Sequence, residues 1–101
     1  MNCKYKQVVI KKSTKPEKKL MAVFDNKKTI YFGQSGFSDF TKNDRPPNEK
    51  NKQKENYIKR HSKRENHKVC DTAGSLSRWV LWNKKTIESS IKDYKSRFNL
   101  K

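Results

Sequence analysis

The fold is decided by residues 20–32, LMAVFDNKKTIYF, which hold two β-prone runs separated by a short polar segment. The runs are Leu20–Phe24 and Thr29–Phe32, and β-branched, aromatic and other apolar residues dominate both. Runs of this kind on either side of a short polar connection are typical of a β-hairpin. We therefore predict two antiparallel strands joined at the segment DNKK.

A two-residue loop at Asn26 and Lys27 sets the predicted register of this hairpin. Asn26 suits the positive φ of a type I′ turn, although Lys27 does not. The loop pairs Val23 with Ile30, and it brings the apolar residues of both strands onto one face, as a buried sheet face requires. These residues are Met21, Val23, Ile30 and Phe32.

One strand before the hairpin and three helices after it complete the predicted elements. Residues 4–12 form the strand, followed by a turn through residues 13–16. Asn48 caps a helix that runs to about residue 65, and Asp71 or Thr72 caps a second helix through residue 82. Thr86 caps the third, whose apolar residues recur at helical spacing. They are Ile87, Ile91, Tyr94 and Phe98.

The order of these elements predicts an α+β fold, a small three-stranded antiparallel sheet followed by three helices packed on it. A chain of 101 residues has room for one small core. We expect residues 1–17 to be a basic N-terminal strand or arm and residues 18–101 to be a single compact α+β domain. The predicted core residues are Met21, Val23, Ile30, Phe32, Leu76, Trp79, Ile91 and Phe98.

The composition is strongly basic, because 26 Lys and Arg and 10 Asp and Glu give a net charge of +16. The positive charges of such a chain repel one another unless an anionic partner binds. This favours nucleic acid as the partner. No membrane partner is predicted, since no segment is both basic and apolar-faced. The first residues hold a three-residue apolar run, too short for a signal peptide. We therefore expect an intracellular protein whose Cys3 and Cys70 are free thiols.

The segment 54–68, KENYIKRHSKRENHK, supplies most of the candidate binding residues. On a helical wheel Tyr57 and Ile58 face inward and a lysine stripe lies opposite. Like-charged pairs at i, i+4 cost roughly 0.2–0.5 kcal/mol each, so phosphate contact explains this stripe better than solubility alone. An ordinary solvated face is the alternative. The predicted phosphate ligands, including an exposed Arg78, are Lys52, Lys59, Arg60, Lys63, Arg64 and Arg78.

Other motifs favour structural roles. Trp79 and Trp82 are expected in the core, with base stacking as the alternative. The segment GQSG at residues 33–36 is expected to end a strand, since no Walker lysine follows it. The spacing of His61, His67 and Cys70 matches no common zinc site, and no paired carboxylates suggest a nuclease. We therefore predict no metal, no cofactor and no enzymatic activity.

Four segments of the sequence carry a resemblance to a known family. They are FGQSGFSDFT at 32–41, YIKRHSKREN at 57–66, TAGSLSRWVLWNK at 72–84 and IKDYKSRF at 91–98. Over roughly residues 18–98 the chain resembles a family of small basic proteins from large nucleocytoplasmic DNA viruses, with phycodnavirus and mimivirus relatives among them. That family has no assigned enzymatic activity. The resemblance implies a viral origin, with genome organisation or packaging as the use of the charge.

Charge and resemblance together predict a viral protein that binds DNA, in preference to RNA, through phosphate contacts and without strong sequence preference. The alternative is a structural or interaction module that docks its basic surface on an acidic viral or host protein. Either protein would act in the cytoplasm or nucleus of the infected host. Packaging in the virion is left open.

Overall fold

The computed structural model describes residues 3–35, 40, 46–63 and 67–101. It has the predicted α+β architecture, a three-stranded antiparallel sheet of order β1-β2-β3 followed by helices. The strands are β1 (Val8–Lys12), β2 (Lys18–Phe24) and β3 (Lys28–Gln34). The helices are α1 (Pro47–Ser62), α2 (Ala73–Leu76), which continues into the π-helical segment Ser77–Leu81, and α3 (Ile87–Arg97).

The register of the β2–β3 hairpin differs from the predicted one by one residue. Ile30 pairs with Ala22 and not with Val23, and Phe32 pairs with Leu20. Because successive side chains of a strand point to opposite faces, this shift exchanges the two faces of β2. The even-numbered residues of β2 therefore face the helices, and Ala22 is fully buried.

The turn explains the shift. Asp25 and Asn26 both have positive φ, at 50° and 56°, and the N–H of Lys27 donates to the carbonyl of Phe24 at 2.9 Å. Asp and Asn tolerate this conformation better than most residues. The Asp25 carboxylate also accepts a hydrogen bond of 2.9 Å from the N–H of Gln7, which ties the turn to the N-terminal arm. The predicted loop at Asn26 and Lys27 is therefore wrong.

The core lies between the sheet and the helices. Among the predicted core residues, Phe32, Leu76 and Phe98 are buried in one cluster. Met21 is buried outside that cluster, on the opposite face of β2, and Val23 is only partly buried. The cluster also contains residues outside the eight predicted core positions, among them Trp82, which was expected in the core, and Tyr57, which was expected to face inward. The additional residues are Val8, Ala22, Phe24, Phe40, Tyr57, Cys70, Val80, Leu81, Trp82, Tyr94 and Leu100.

The helices begin at two kinds of residue. Pro46 precedes α1, and Pro47 occupies its first position, where the absent N–H of proline is tolerated. The predicted cap Asn48 therefore lies inside the helix. Thr72 and Thr86 cap α2 and α3, since each hydroxyl accepts a hydrogen bond of 3.1 Å from a backbone N–H three residues later. The prediction for Thr86 is confirmed.

A disulfide joins Cys3 to Cys70 across 67 positions, with a Cα–Cα distance of 5.7 Å. The prediction of free thiols is therefore wrong. The fold brings the N-terminal arm against the segment that precedes α2, where Asp71 accepts ion pairs from Lys4 at 3.8 Å and Lys28 at 3.3 Å. In the described ranges, no helix has the length and apolar character needed to cross a membrane.

Candidate nucleic-acid interface

Helix α1 is held to the core along one side and is open to solvent along the other. Tyr57 is 8% exposed and its ring stacks on that of Trp82, with centroids 4.7 Å apart and planes 12° from parallel. The helical period then places Lys52, Lys59 and Lys63 opposite the buried side, and all three are exposed. We call these three lysines the outer face of α1.

The outer face carries unneutralised positive charge. Within the described residues, no ion pair joins any of its three lysines to a carboxylate. The carboxylates of Asp71 and Asp93 form their ion pairs elsewhere, Asp71 with Lys4 and Lys28 and Asp93 with Arg97. The exposed Glu55 lies four residues before Lys59 on the same side of the helix, so this side of α1 is predominantly, though not exclusively, cationic.

The predicted phosphate ligands divide among three places. Lys52, Lys59 and Lys63 share the outer face, and Arg60 is exposed beside them, at the edge of a cleft. Arg64 lies outside the described residues. Arg78 is half-buried, so the expectation that it is exposed is wrong.

Arg78 is bound within the protein through its guanidinium. Its Nη1 donates to the carbonyl of Trp82 at 2.9 Å. The guanidinium also lies 4.2 Å from the ring centroid of Trp79, and that of Arg97 lies at the same distance from that ring. The indole N–H of Trp79 donates to the carbonyl of His67 at 2.8 Å. This cluster binds the helices to each other, and both guanidinium groups are engaged within the protein.

Lys54 lies near this cluster, and its Nζ donates to the carbonyl of Asn83 at 2.7 Å. Burial lowers the pKa of Lys54, and the charges of Arg78 and other nearby cations lower it further. The pKa of Arg78 is also lowered, first by burial and then by Arg97. Burial would raise the pKa of Asp93, but hydrogen bonds from Arg97 at 2.7 Å and Asn83 at 2.6 Å outweigh it and lower that pKa.

A cleft of about 700 Å³ runs along α1, between that helix, the ends of β2 and β3, and α2 with its π-helical segment. The described residues of its lining include four basic side chains and no carboxylate. The basic residues are Lys18, Lys19, Arg60 and His61. The cleft therefore suits an anion.

Three stacked rings form one wall of the cleft. The ring of Tyr57 lies between those of His61, at 4.2 Å, and Trp82, at 4.7 Å. The spacing of Tyr57 and His61 at i, i+4 is a local signal that sequence reasoning could have used. The contact with Trp82 spans 25 positions and has no such signal.

Gly33 lets β3 come close to the π-helical segment at this cleft. Its φ is +77°, and a Cβ there would lie 2.7 Å from Cδ1 of Leu81. Both observations require glycine. The strand ends one residue later, at Gln34, as the segment GQSG predicted, while Gly36 lies outside the described residues.

Metal ligands are dispersed in the part of the chain that the structure describes. There, no three His, Cys, Asp or Glu side chains lie close enough together to hold a metal ion. The sulfur atoms of Cys3 and Cys70 are bonded to each other.

The fold and this interface define a small basic α+β protein with a cationic helix beside a cation-lined cleft. The chain belongs to the family described as Family of unknown function (DUF5754), whose model matches residues 8–61. The matched region holds the three strands and most of α1, including Lys52 and Lys59. No curated protein and no solved structure matches the chain.

Proposed function

We propose that the protein binds nucleic acid through phosphate contacts on the outer face of α1, without strong sequence preference. One observation carries the proposal: Lys52, Lys59 and Lys63 are exposed in one row with no ion pair among the described residues. Phosphate neutralisation by lysine releases counterions and provides most of the affinity in sequence-independent binding. Arg60 is exposed beside this row, while Arg64 lies outside the described residues and is a candidate from the sequence alone.

The dimensions of the row support a nucleic acid backbone as its partner. From Lys52 to Lys63 an α-helix rises about 16 Å. Along a duplex this distance corresponds to about five base pairs, with a phosphate of each strand at every step. Several lysines can therefore contact phosphates of one molecule at the same time.

The side chains on the outer face also support indifference to sequence. A lysine ammonium is a compact charge on a flexible stem, whereas base recognition uses planar, bidentate groups. A preference for DNA over RNA, and a use in organising or packaging a viral genome, follow from the sequence resemblance and remain proposals.

The experiment is a titration of the protein with a mixed-sequence duplex DNA, the corresponding single strand and RNA, at several salt concentrations. For about four phosphate contacts, log K against log salt should have a slope near −3.6 on the duplex, about −0.9 for each contact. Unrelated duplex sequences should bind equally. Absence of binding at moderate salt would overturn the proposal. In that case, recovery of an acidic protein in a pull-down that has been treated with nuclease would favour the interaction module.

A further inference from the structure

We infer that the cleft beside α1 is a nucleotide site, which holds one unpaired base with its phosphate from a bound nucleic acid strand. This inference deepens the proposed function and rests on it. The volume of about 700 Å³ falls within the range of about 300–1,000 Å³ typical of small-ligand sites. The cleft can therefore hold one nucleotide but not a duplex.

Opposite walls of the cleft carry the charges that a phosphate needs. Lys18 and Lys19 lie on β2, and Arg60 lies on α1 across the cleft from them. Lys18 is half-buried, yet it has no ion pair with any described carboxylate. Lys18 and Arg60 therefore face the cleft from opposite walls, and an anion bound between the walls would contact both.

The remaining lining has the chemistry of a base site. The rings of His61, Tyr57 and Trp82 form one wall, and stacking on aromatic side chains is the usual way that proteins hold unpaired bases. Gln34, Gln53 and Asn56 also line the cleft. Their amides both donate and accept hydrogen bonds, as the edge of a base requires. Inorganic phosphate could accept hydrogen bonds from the amides, but it has no ring to stack on the aromatic side chains.

Arg60 connects the cleft to the outer face of α1. It is exposed, it lines the cleft, and it follows Lys59 of the outer face in the helix. A strand whose phosphates contact the outer face can therefore turn one base into the cleft at Arg60. A paired base cannot enter, because its edge and both its faces are occupied within the duplex. Single strands should accordingly bind more tightly than duplexes.

The test compares three ligands on the full chain: oligothymidylate of ten nucleotides, a ten-base-pair duplex and thymidine monophosphate. We expect oligothymidylate to bind about tenfold more tightly than the duplex, as stacking of one base provides. In amide NMR spectra, titration with oligothymidylate should shift the resonances of Gly33 and Gly74, which line the cleft. Thymidine monophosphate should shift the same resonances at higher concentration.

Two pairs of matched variants separate the cleft from general charge and from folding. His61→Ala removes the outer ring of the stack, and His67→Ala changes the other histidine of the chain, which does not line the cleft. Lys18→Ala removes a cleft charge, and Lys11→Ala removes one from the exposed part of β1. His61→Ala should weaken oligothymidylate binding about tenfold, whereas His67→Ala should not. Lys18→Ala should weaken oligothymidylate binding more than Lys11→Ala does. The two variants should weaken duplex binding equally.

The outcomes distinguish this inference from the proposed function. Equal affinity for strand and duplex, with no loss in His61→Ala, would overturn the inference and leave phosphate binding by the outer face intact. If thymidine monophosphate binds as tightly as the oligonucleotide, the cleft is a site for free nucleotides. That result would overturn the inference that the bound nucleotide belongs to a nucleic acid strand. Displacement of thymidine monophosphate by an equal concentration of inorganic phosphate would overturn recognition of the base. Melting curves establish that each variant is folded.

Discussion

The hydroxyl of Tyr94 in α3 donates a hydrogen bond of 2.5 Å to the backbone carbonyl of Cys70. Tyr94 is fully buried, and Cys70 is 3% exposed and bonded to Cys3. One point in the core thus links the last helix, the segment before α2 and the N-terminal arm. Loss of either bond should be measurable in stability.

Replacement of Tyr94 by Phe should lower the free energy of unfolding by about 1–3 kcal/mol, because a buried carbonyl loses its donor. Burial also raises the pKa of Tyr94, and the charge of Asp71 raises it further. The folded state therefore keeps this proton at pH values where the unfolded chain releases it. The resulting stability is fully present below about pH 10 and is lost as the pH rises further.

The measurement for Tyr94→Phe is urea denaturation at pH 7, 9 and 11. The parent should lose more stability than the variant between pH 9 and pH 11, because only the parent has this proton to lose. Tyr31→Phe is the control, since the hydroxyl of Tyr31 contacts Thr14 at an exposed position. Parallel loss of stability in parent and variant would contradict the assigned pKa shift.

Reduction of the Cys3–Cys70 disulfide should lower stability by about 4 kcal/mol, from the chain entropy of a loop of this length. The Cys3→Ser, Cys70→Ser variant should match the reduced parent in denaturant midpoint. If the two cysteines were free thiols, as the sequence predicts, this variant would be as stable as the parent. A midpoint that does not change with reductant would show that the disulfide contributes nothing.

Gly33→Ala should lower stability by about 1–3 kcal/mol from its left-handed backbone alone. The added Cβ would also lie 2.7 Å from Cδ1 of Leu81, so the buried Leu81 side chain must move. Gln34→Ala, at the exposed end of the same strand, is the control and should change stability little. Thermal melting of the three proteins measures the difference, and equal melting temperatures would refute the close approach.

Trp82→Ala should destabilise the protein by about 3–5 kcal/mol, the usual range for a buried aromatic residue. Trp82 is 9% exposed and stacks on Tyr57, whereas Trp79 is only partly buried. Trp79→Ala should therefore have the smaller effect, in contrast to the prediction that placed Trp79 in the core. Chemical denaturation of both variants tests this order, and the reverse order would place Trp79 at the centre instead.

The π-helical segment explains why Trp82 is buried more deeply than Trp79, although both were expected in the core. The N–H of Trp82 donates to the carbonyl of Ser77, five residues earlier, at 3.0 Å. A bond of this kind widens the turn relative to an α-helix. Positions after Ser77 therefore rotate, so Leu81 and Trp82 turn inward with Val80. A pattern of 3.6 residues per turn cannot anticipate such a change.

Signals between residues close in sequence predicted the strands and helices. Contacts between distant residues decide the hairpin register and form the cleft. The Thr86 cap and the strand order depend on residues close in sequence, so the α+β fold could be predicted. The hairpin register depends on Asp25, whose carboxylate binds the N-terminal arm 18 positions away. The lysine row on α1 follows from helical spacing alone. The cleft could not be predicted, because its walls come from β2, α1 and α2.

The Lys59→Ala, Lys63→Ala variant tests the outer face of α1. These two residues are a like-charged pair at i, i+4, so their removal should leave the helix no less stable and relieve roughly 0.2–0.5 kcal/mol. If both contact phosphates, affinity for duplex DNA should fall on every sequence, and the salt slope should become shallower by about one unit for each residue.

The matched control for this variant is Lys11→Ala, Lys12→Ala, which removes the same charge from exposed positions of β1. General attraction to a chain of net charge +16 would weaken equally in both variants. A specific interface predicts a larger loss for the α1 variant, because its lysines make direct contacts while those of β1 act only at a distance through screening salt. Equal affinities for the two folded variants at moderate salt would mean that the row on α1 is an ordinary solvated surface.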